Sequence, residues 1–227
     1  MSFLDKIAAT LAPAASDEDR REARTKALQL SGSHPWIGTI VQQHERIEAL
    51  IDDVVDGPSA DQRRQSLGEF EKILNGHSLA EEVIVYPDIA EESSKFHAAE
   101  AYEQHSLTKV QVAELEKLDP MSDEWREKAQ HIRSALQQHM YQEEGSWLPQ
   151  LASKISSAET ERVEERFNEE YERYCGTGSI GSGSAGISRT ATQPAMSPRL
   201  YHMIQLQTRL SGSRRGFAAP RGRNSLR

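Results

Sequence analysis

Six residues in this sequence combine metal-ligating side chains with a spacing that repeats. Residues 77–90 read His77-Ser-Leu-Ala-Glu81-Glu82-Val-Ile-Val-Tyr86-Pro87-Asp-Ile-Ala90, and residues 139–152 read His139-Met-Tyr-Gln-Glu143-Glu144-Gly-Ser-Trp147-Leu-Pro149-Gln-Leu-Ala152. Both reduce to H-x-x-x-E-E-x-x-x-x-P-x-(I/L)-A. A Gln-His pair precedes each copy: His44 lies 33 residues before His77, and His105 lies 34 before His139. The chain thus carries an internal repeat of about 62 residues whose shared letters are nitrogen and oxygen donors.

Residues four apart on a helix share a face, so His77 with Glu81, and His139 with Glu143, each direct an imidazole and a carboxylate to one place. Two carboxylates on otherwise apolar stripes are costly to desolvate unless a cation compensates them. Lys109, one turn beyond His105, is the only basic residue read on the stripes at this level. A metal centre is the simplest compensation. Nitrogen and oxygen donors without thiolate suit iron or manganese, zinc remains compatible by ligand type, and two carboxylates able to bridge suit a pair of ions. Each ligating histidine also needs an acceptor for its other ring N–H. His34, His97 and His131 fall off the ligand faces and read as surface or packed histidines. Glu82 and Glu144, about 140° round from their histidines, are expected to face solvent. Glu48 forms a further HxxxE with His44 but has Lys109 as its counterpart in the other half, which weakens it as a ligand.

Helical periodicity supplies the elements that must position these groups. Trp36, Ile37, Ile40, Val41, His44, Ile47, Ile51, Val54 and Val55 form one stripe from Pro35, closed by Gly57-Pro58-Ser59. A second segment, about 60–91, carries Leu67, Phe70, Leu74, His77, Glu81 and Ile84. The third, about 94–118, carries Ala98, Tyr102, His105, Val112 and Leu115. A fourth, capped by Ser122, carries Trp125, Ile132, Leu136, His139, Glu143 and Trp147. Pro87 and Pro149 are expected to kink or end their helices. Short helices at 3–11 and 17–30, the latter capped by Ser16, precede this set, and a charged helix at 158–174 follows it. The expected fold is all-α: an up-down-up-down four-helix bundle with its ligands in the core. Its expected divisions are an N-terminal extension (1–33), the bundle with its short C-terminal helix (34–175) and a flexible tail (176–227).

Composition limits the alternatives. The net charge is −8, yet residues from Gly176 onward contain eight arginines and no Asp, Glu or Lys, which leaves −16 on residues 1–175. The tail begins as a Gly/Ser run unable to bury enough apolar surface to offset its ordering entropy. Within it, 199–210 could fold on a partner, and the Arg/Gly stretch could contact nucleic acid or an acidic protein surface. One cysteine, Cys175, excludes an intrachain disulfide. No apolar run approaches the roughly 20 residues of a membrane span, and no secretory leader is read, so a cytoplasmic location is expected.

His44, His77-x-x-x-Glu81, His105 and His139-x-x-x-Glu143, on four helices in that order, resemble the hemerythrin-like HHE cation-binding domain over roughly residues 34–155. The resemblance implies a non-haem centre of two iron ions, with Glu81 and Glu143 bridging and the four histidines as terminal ligands. It also implies binding or sensing of a small ligand such as O₂ or NO, or decomposition of peroxide or nitric oxide. A third alternative is a metal-responsive regulatory or interaction protein that acts through its tail. Oxygen-carrying relatives place two histidines four apart on the third helix. Here Ala101 and Lys109 stand at those offsets, which leaves a position open and makes Tyr102 a candidate ligand, donor or core aromatic.

Overall fold

The computed structural model describes residues 15–176, and within them every regular element is helical. The first, α1 (Asp17–Leu30), starts at a capping box: the Ser16 hydroxyl accepts from the Asp19 amide while the Asp19 carboxylate accepts from the Ser16 amide. Helix α2 (Pro35–Asp56) opens on proline, whose missing amide costs nothing in a first turn. Ser59, Ser94, Ser122 and Ser156 cap α3 (Ala60–Ala80), α5 (Lys95–Leu115), α6 (Asp123–Gln142) and α8 (Ser157–Cys175). The 3–11 helix and the tail beyond Gly176 lie outside the described residues.

Between α3 and α5, and again after α6, the helix widens. Five-residue π-turns run Glu81–Val85 and Glu143–Trp147, followed by short α4 (Tyr86–Asp88) and α7 (Leu148–Ala152). A second wide turn, Ile89–Ser93, leads to α5. The helices therefore do not end at Pro87 or Pro149. Each proline stands in the first turn after a π-turn, where its amide is not needed and the wider backbone relieves the clash its ring would cause in a continuous α-helix.

The apolar side chains bury themselves in two clusters. One gathers Trp36, Ile40, Val41, Ala80, Tyr86, Ile89, Trp147, Leu151 and Phe167, and the other gathers Ile47, Ile51, Val54, Phe70, Leu74, Trp125, Ile132 and Leu136. A histidine stands at or beside the change from one cluster to the other on four helices: His44 between Val41 and Ile47, His77 between Leu74 and Ala80, His105 between Ala101 and Val112, and His139 next to Met140, the last α6 member of the second cluster before Trp147. Full burial of a large apolar side chain stabilises by about 1.5–3 kcal/mol, so the two clusters enclose a polar layer that apolar packing alone would not select.

Buried Arg63 ties the far end together by donating to the Gly57 carbonyl at 2.7 Å and the Pro120 carbonyl at 2.7 Å. Helix α8 packs along α3, where a Cβ on Gly76 would overlap Cys175 Sγ. No helix among the described residues is long and apolar enough to cross a membrane.

Candidate metal centre

All six predicted ligands converge in the polar layer, and each is at most 4% exposed. The rings pair as His44 with His77, centroids 4.9 Å apart, and His105 with His139, 4.7 Å apart. Each carboxylate reaches one histidine of each pair. Glu81 lies 3.1 Å from His77 Nε2 and 3.5 Å from His105 Nε2, while Glu143 lies 3.2 Å from His44 Nε2 and 3.4 Å from His139 Nε2. Donor atoms of His44, His77, Glu81 and Glu143 fall within 4.8 Å of one another, as do those of Glu81, His105 and His139. Glu81 belongs to both groups.

The residues fit a cation by a test internal to the structure. His44 Nε2, His77 Nε2, Glu81 Oε1 and Glu143 Oε2 are buried without a hydrogen-bond partner, and such atoms are costly to leave unmatched. The other histidine pair has a related problem. His105 Nε2 and His139 Nε2 stand 3.0 Å apart. Both rings donate from Nδ1 (below), so two lone pairs face each other unless a proton or cation lies between them.

The acceptors that fix those tautomers form a closed ring. His77 Nδ1 donates to Gln43 Oε1 at 2.9 Å, His105 Nδ1 to Glu82 at 3.1 Å, His139 Nδ1 to Gln104 Oε1 at 2.7 Å and His44 Nδ1 to Glu144 at 2.8 Å. Each acceptor stands on the helix, or the turn extending it, that precedes its histidine's helix around the site. The Gln104 amide is oriented unambiguously, because its NH₂ donates to Glu100 and Gln142. Orientation of ring nitrogens by such partners is what ligand histidines require.

Glu82 and Glu144 are therefore not surface residues; Glu144 is 1% exposed and Glu82 half-buried. One residue beyond an inward-facing glutamate is about 100° round the helix. At Glu82 and Glu144 that direction meets a neighbouring helix, where each carboxylate is held by a histidine and a cationic side chain. In sequence the signal was present, since both copies of the repeat keep the doubled glutamate and the upstream glutamine. Glu48 is not a ligand either: it accepts from Arg20 at 2.9 Å and Arg24 at 2.8 Å.

Tyr86 is the residue that pattern reading missed. Fully buried, its phenol oxygen lies 2.9 Å from Glu143, 3.2 Å from Glu81, 2.9 Å from His105 Nε2 and 3.4 Å from His139 Nε2. Its ring lies 5.2 Å from that of His105. The repeat concealed it, because its counterpart in the second copy is Leu148. Tyr102 stays outside the ligand group, donating to the Glu82 carbonyl at 2.6 Å with its ring edge-on to Tyr86.

Protonation follows from burial and neighbours. Burial, reinforced by the charge of Glu143, pushes Glu81 well above the usual carboxylate range. Glu143 is pulled the other way, because His139 and His44 outweigh its burial. His44 is raised to about 10, burial being overcome by Glu143 and Glu144, whereas burial lowers His139 to about 3. Burial and the adjacent carboxylates raise Tyr86 well above its ordinary value, so it remains a proton donor at neutral pH.

The chain is 21% identical over 128 residues to a protein of Nostoc sp. (strain PCC 7120) described as a DNA nickase, a match covering 56% of this chain and 36% of that protein. The chain thus spans little more than a third of that relative's length. No solved structure gives a significant match. A family model, the hemerythrin HHE cation binding domain, matches residues 37–151, which contain all six converging residues and Tyr86. With its buried His/Glu layer and that match over half its length, the chain belongs to the hemerythrin HHE cation-binding domain family.

Proposed function

We propose that this is a non-haem di-iron protein that binds or senses a small ligand, O₂ or NO, at a carboxylate-bridged centre within an up-down-up-down four-helix bundle formed by α2, α3, α5 and α6. The observation that carries this reading is the pair of donor groups sharing Glu81, each built on two histidines aimed inward through Nε2. Glu81 and Glu143, each beside one histidine of either pair, would hold both ions between them, and His44, His77, His105 and His139 would complete the ligand set. Bound iron would supply a redox-active, Lewis-acidic position for the diatomic ligand. The chain's own contribution is to exclude water with the two apolar clusters and to hold the four rings in one tautomer. Manganese and zinc are the alternative occupants that the donor set accepts. The division into extension (1–33), bundle (34–175) and tail (176–227), and a cytoplasmic setting, complete this reading.

Elemental analysis of protein purified without added metal should find iron. Anaerobic reduction followed by O₂ or NO should then give a new absorption band that disappears on removing the gas. A spectrum that changes irreversibly, with consumption of the ligand, would sink the binding reading.

One observation favours an enzyme instead. Tyr86 places a protonated phenol within 2.9 Å of Glu143 and of His105 Nε2, so the centre does contain an acid–base group beyond its ligands. In decomposition of peroxide or nitric oxide, Tyr86 would hold the proton handed to an oxygen leaving the centre, with Glu143 as its partner. Tyr86→Phe should then lower turnover by about 10²-fold at unchanged metal content; equal peroxide and NO consumption by the two proteins would refute the role.

The nickase relative and the eight arginines beyond Gly176 motivate a nucleic-acid reading of the tail. Supercoiled plasmid incubated with the metal-loaded full chain and with residues 1–176 tests it. Failure of the full chain to bind or relax the plasmid dismisses it.

A further inference from the structure

We propose that α1, which lies outside the family-matched segment, is a constituent of the metal centre, and that Arg24 is the positioning residue that holds His44 through Glu144. The inference rests on the reading that the His/Glu layer binds metal. It comes from comparing the two halves of the repeat.

In the half around His105, the acceptor carboxylate finds its cation inside the bundle. Lys109, four residues after His105, donates to Glu82 Oε1 at 2.6 Å, and the same oxygen accepts from His105 Nδ1 at 3.1 Å. The half around His44 has the opposite charge at the equivalent place. Four residues after His44 stands Glu48, so the bundle brings a second carboxylate toward Glu144 rather than a cation.

Helix α1 corrects this imbalance. Arg24 grips Glu144 through Nε at 3.1 and 3.2 Å and through Nη2 at 3.0 Å, while its Nη1 donates to Glu48 at 2.8 Å. Arg20 takes the other Glu48 oxygen at 2.9 Å and is itself held by Asp17 at 2.7 Å. A guanidinium fork can serve two carboxylates at fixed angles, which an ammonium at this place could not do. The close approach of α1 is allowed by Gly145, on which a Cβ would stand 3.3 Å from the Ala23 Cβ; the first copy of the repeat has exposed Val83 there. Without Arg24 no cation would hold the buried Glu144 carboxylate in place against His44 Nδ1, and the ring would lose the fixed partner that a ligand histidine requires.

The test uses the full chain and cobalt(II) alone as the probe, with R24Q, R24K and R24Q/E48K. The wild type should take up cobalt at two sites, each with a ligand-field absorption band. In R24Q the affinity of one site should fall about tenfold, the lower end of what partners of ligand histidines contribute; the other site should keep its affinity and band. Among the exchangeable imidazole N–H resonances shifted by cobalt, the one facing Glu144 alone should exchange faster. R24K should recover only part of the loss. R24Q/E48K should recover most of it, because a lysine at 48 stands where Lys109 stands in the other half. Equal affinities and spectra in R24Q and wild type would overturn the proposal, and so would an equal loss at both sites that E48K fails to repair. Failure of the wild type itself to bind cobalt would instead remove the metal-binding reading beneath it.

Discussion

At the scale of single residues, the site separates groups that would touch the metal from groups that orient those ligands. Glu143→Ala removes a carboxylate within reach of His44 and His139, so metal content measured by elemental analysis should collapse. Glu82→Ala and Glu144→Ala leave the ligands in place but free the His105 and His44 rings. Each should weaken affinity about 10–100-fold in a competition titration. A solvent-facing glutamate, as sequence spacing suggested for both, would give no change. Away from the centre, burial and then Glu116 raise the partly exposed Glu71 carboxyl to about 7. The folded chain therefore keeps a proton that the unfolded chain gives up above the ordinary value of 4.5, and stability contributed below that value is lost as pH rises toward 7. Glu71→Gln should flatten this loss: thermal unfolding at high pH should favour the variant relative to wild type more than unfolding at low pH does. Solvent screening keeps the effect small.

Among the elements, the π-turns do the positioning that straight helices could not. Each begins at a glutamate of the buried layer, with the Tyr86 amide bonded to the Glu81 carbonyl and the Leu148 amide to the Glu143 carbonyl. The first delivers the Tyr86 phenol inward, and the second sets Glu144 against α1 and α2. Both precede a proline, so the sequence fault that suggested a helix end instead marks where the helix widens. Helix α8 reaches α3 beside His77 only because residue 76 is glycine. Gly76→Ala should cost about 1–3 kcal/mol by overpacking in urea unfolding, and Gly76→Ala/Cys175→Ala should recover most of it. Additive losses in that double variant would show that the Cys175 contact is not the cause.

For the whole molecule, the governing feature is a polar layer between two apolar clusters. Such a layer is costly without a compensating cation, so metal binding would be coupled to folding. Removal of metal with a chelator should lower the thermal unfolding midpoint, since a ligand at 100 times its Kd stabilises by about 2.7 kcal/mol; an unchanged midpoint would mean that protons satisfy the layer as well as metal does. Residues 1–176 should retain the helical circular dichroism and metal content of the full chain, because α8 closes at Cys175 and all six converging donors lie before it.

By itself the sequence determined the helices, the caps at Ser16 and Ser122 and the six candidate donors. These follow from short-range rules: apolar residues at three- and four-residue steps, hydroxyls before acidic first turns, and histidine and glutamate one turn apart on an inward stripe. The repeat also held Gln43, Gln104, Glu82 and Glu144 in plain view, but not their roles. Only tertiary structure decided those, because each hydrogen-bonds a histidine on another helix, and helical angle alone cannot distinguish a seam from a surface. Tyr86 and Arg24 were less legible still. Tyr86 has no counterpart in the second copy, and Arg24 sits 120 residues from the glutamate it grips, on a helix whose approach depends on the small residue at Gly145. Intrahelical spacing is written in the chain; the neighbour that meets each face is set by how the helices pack.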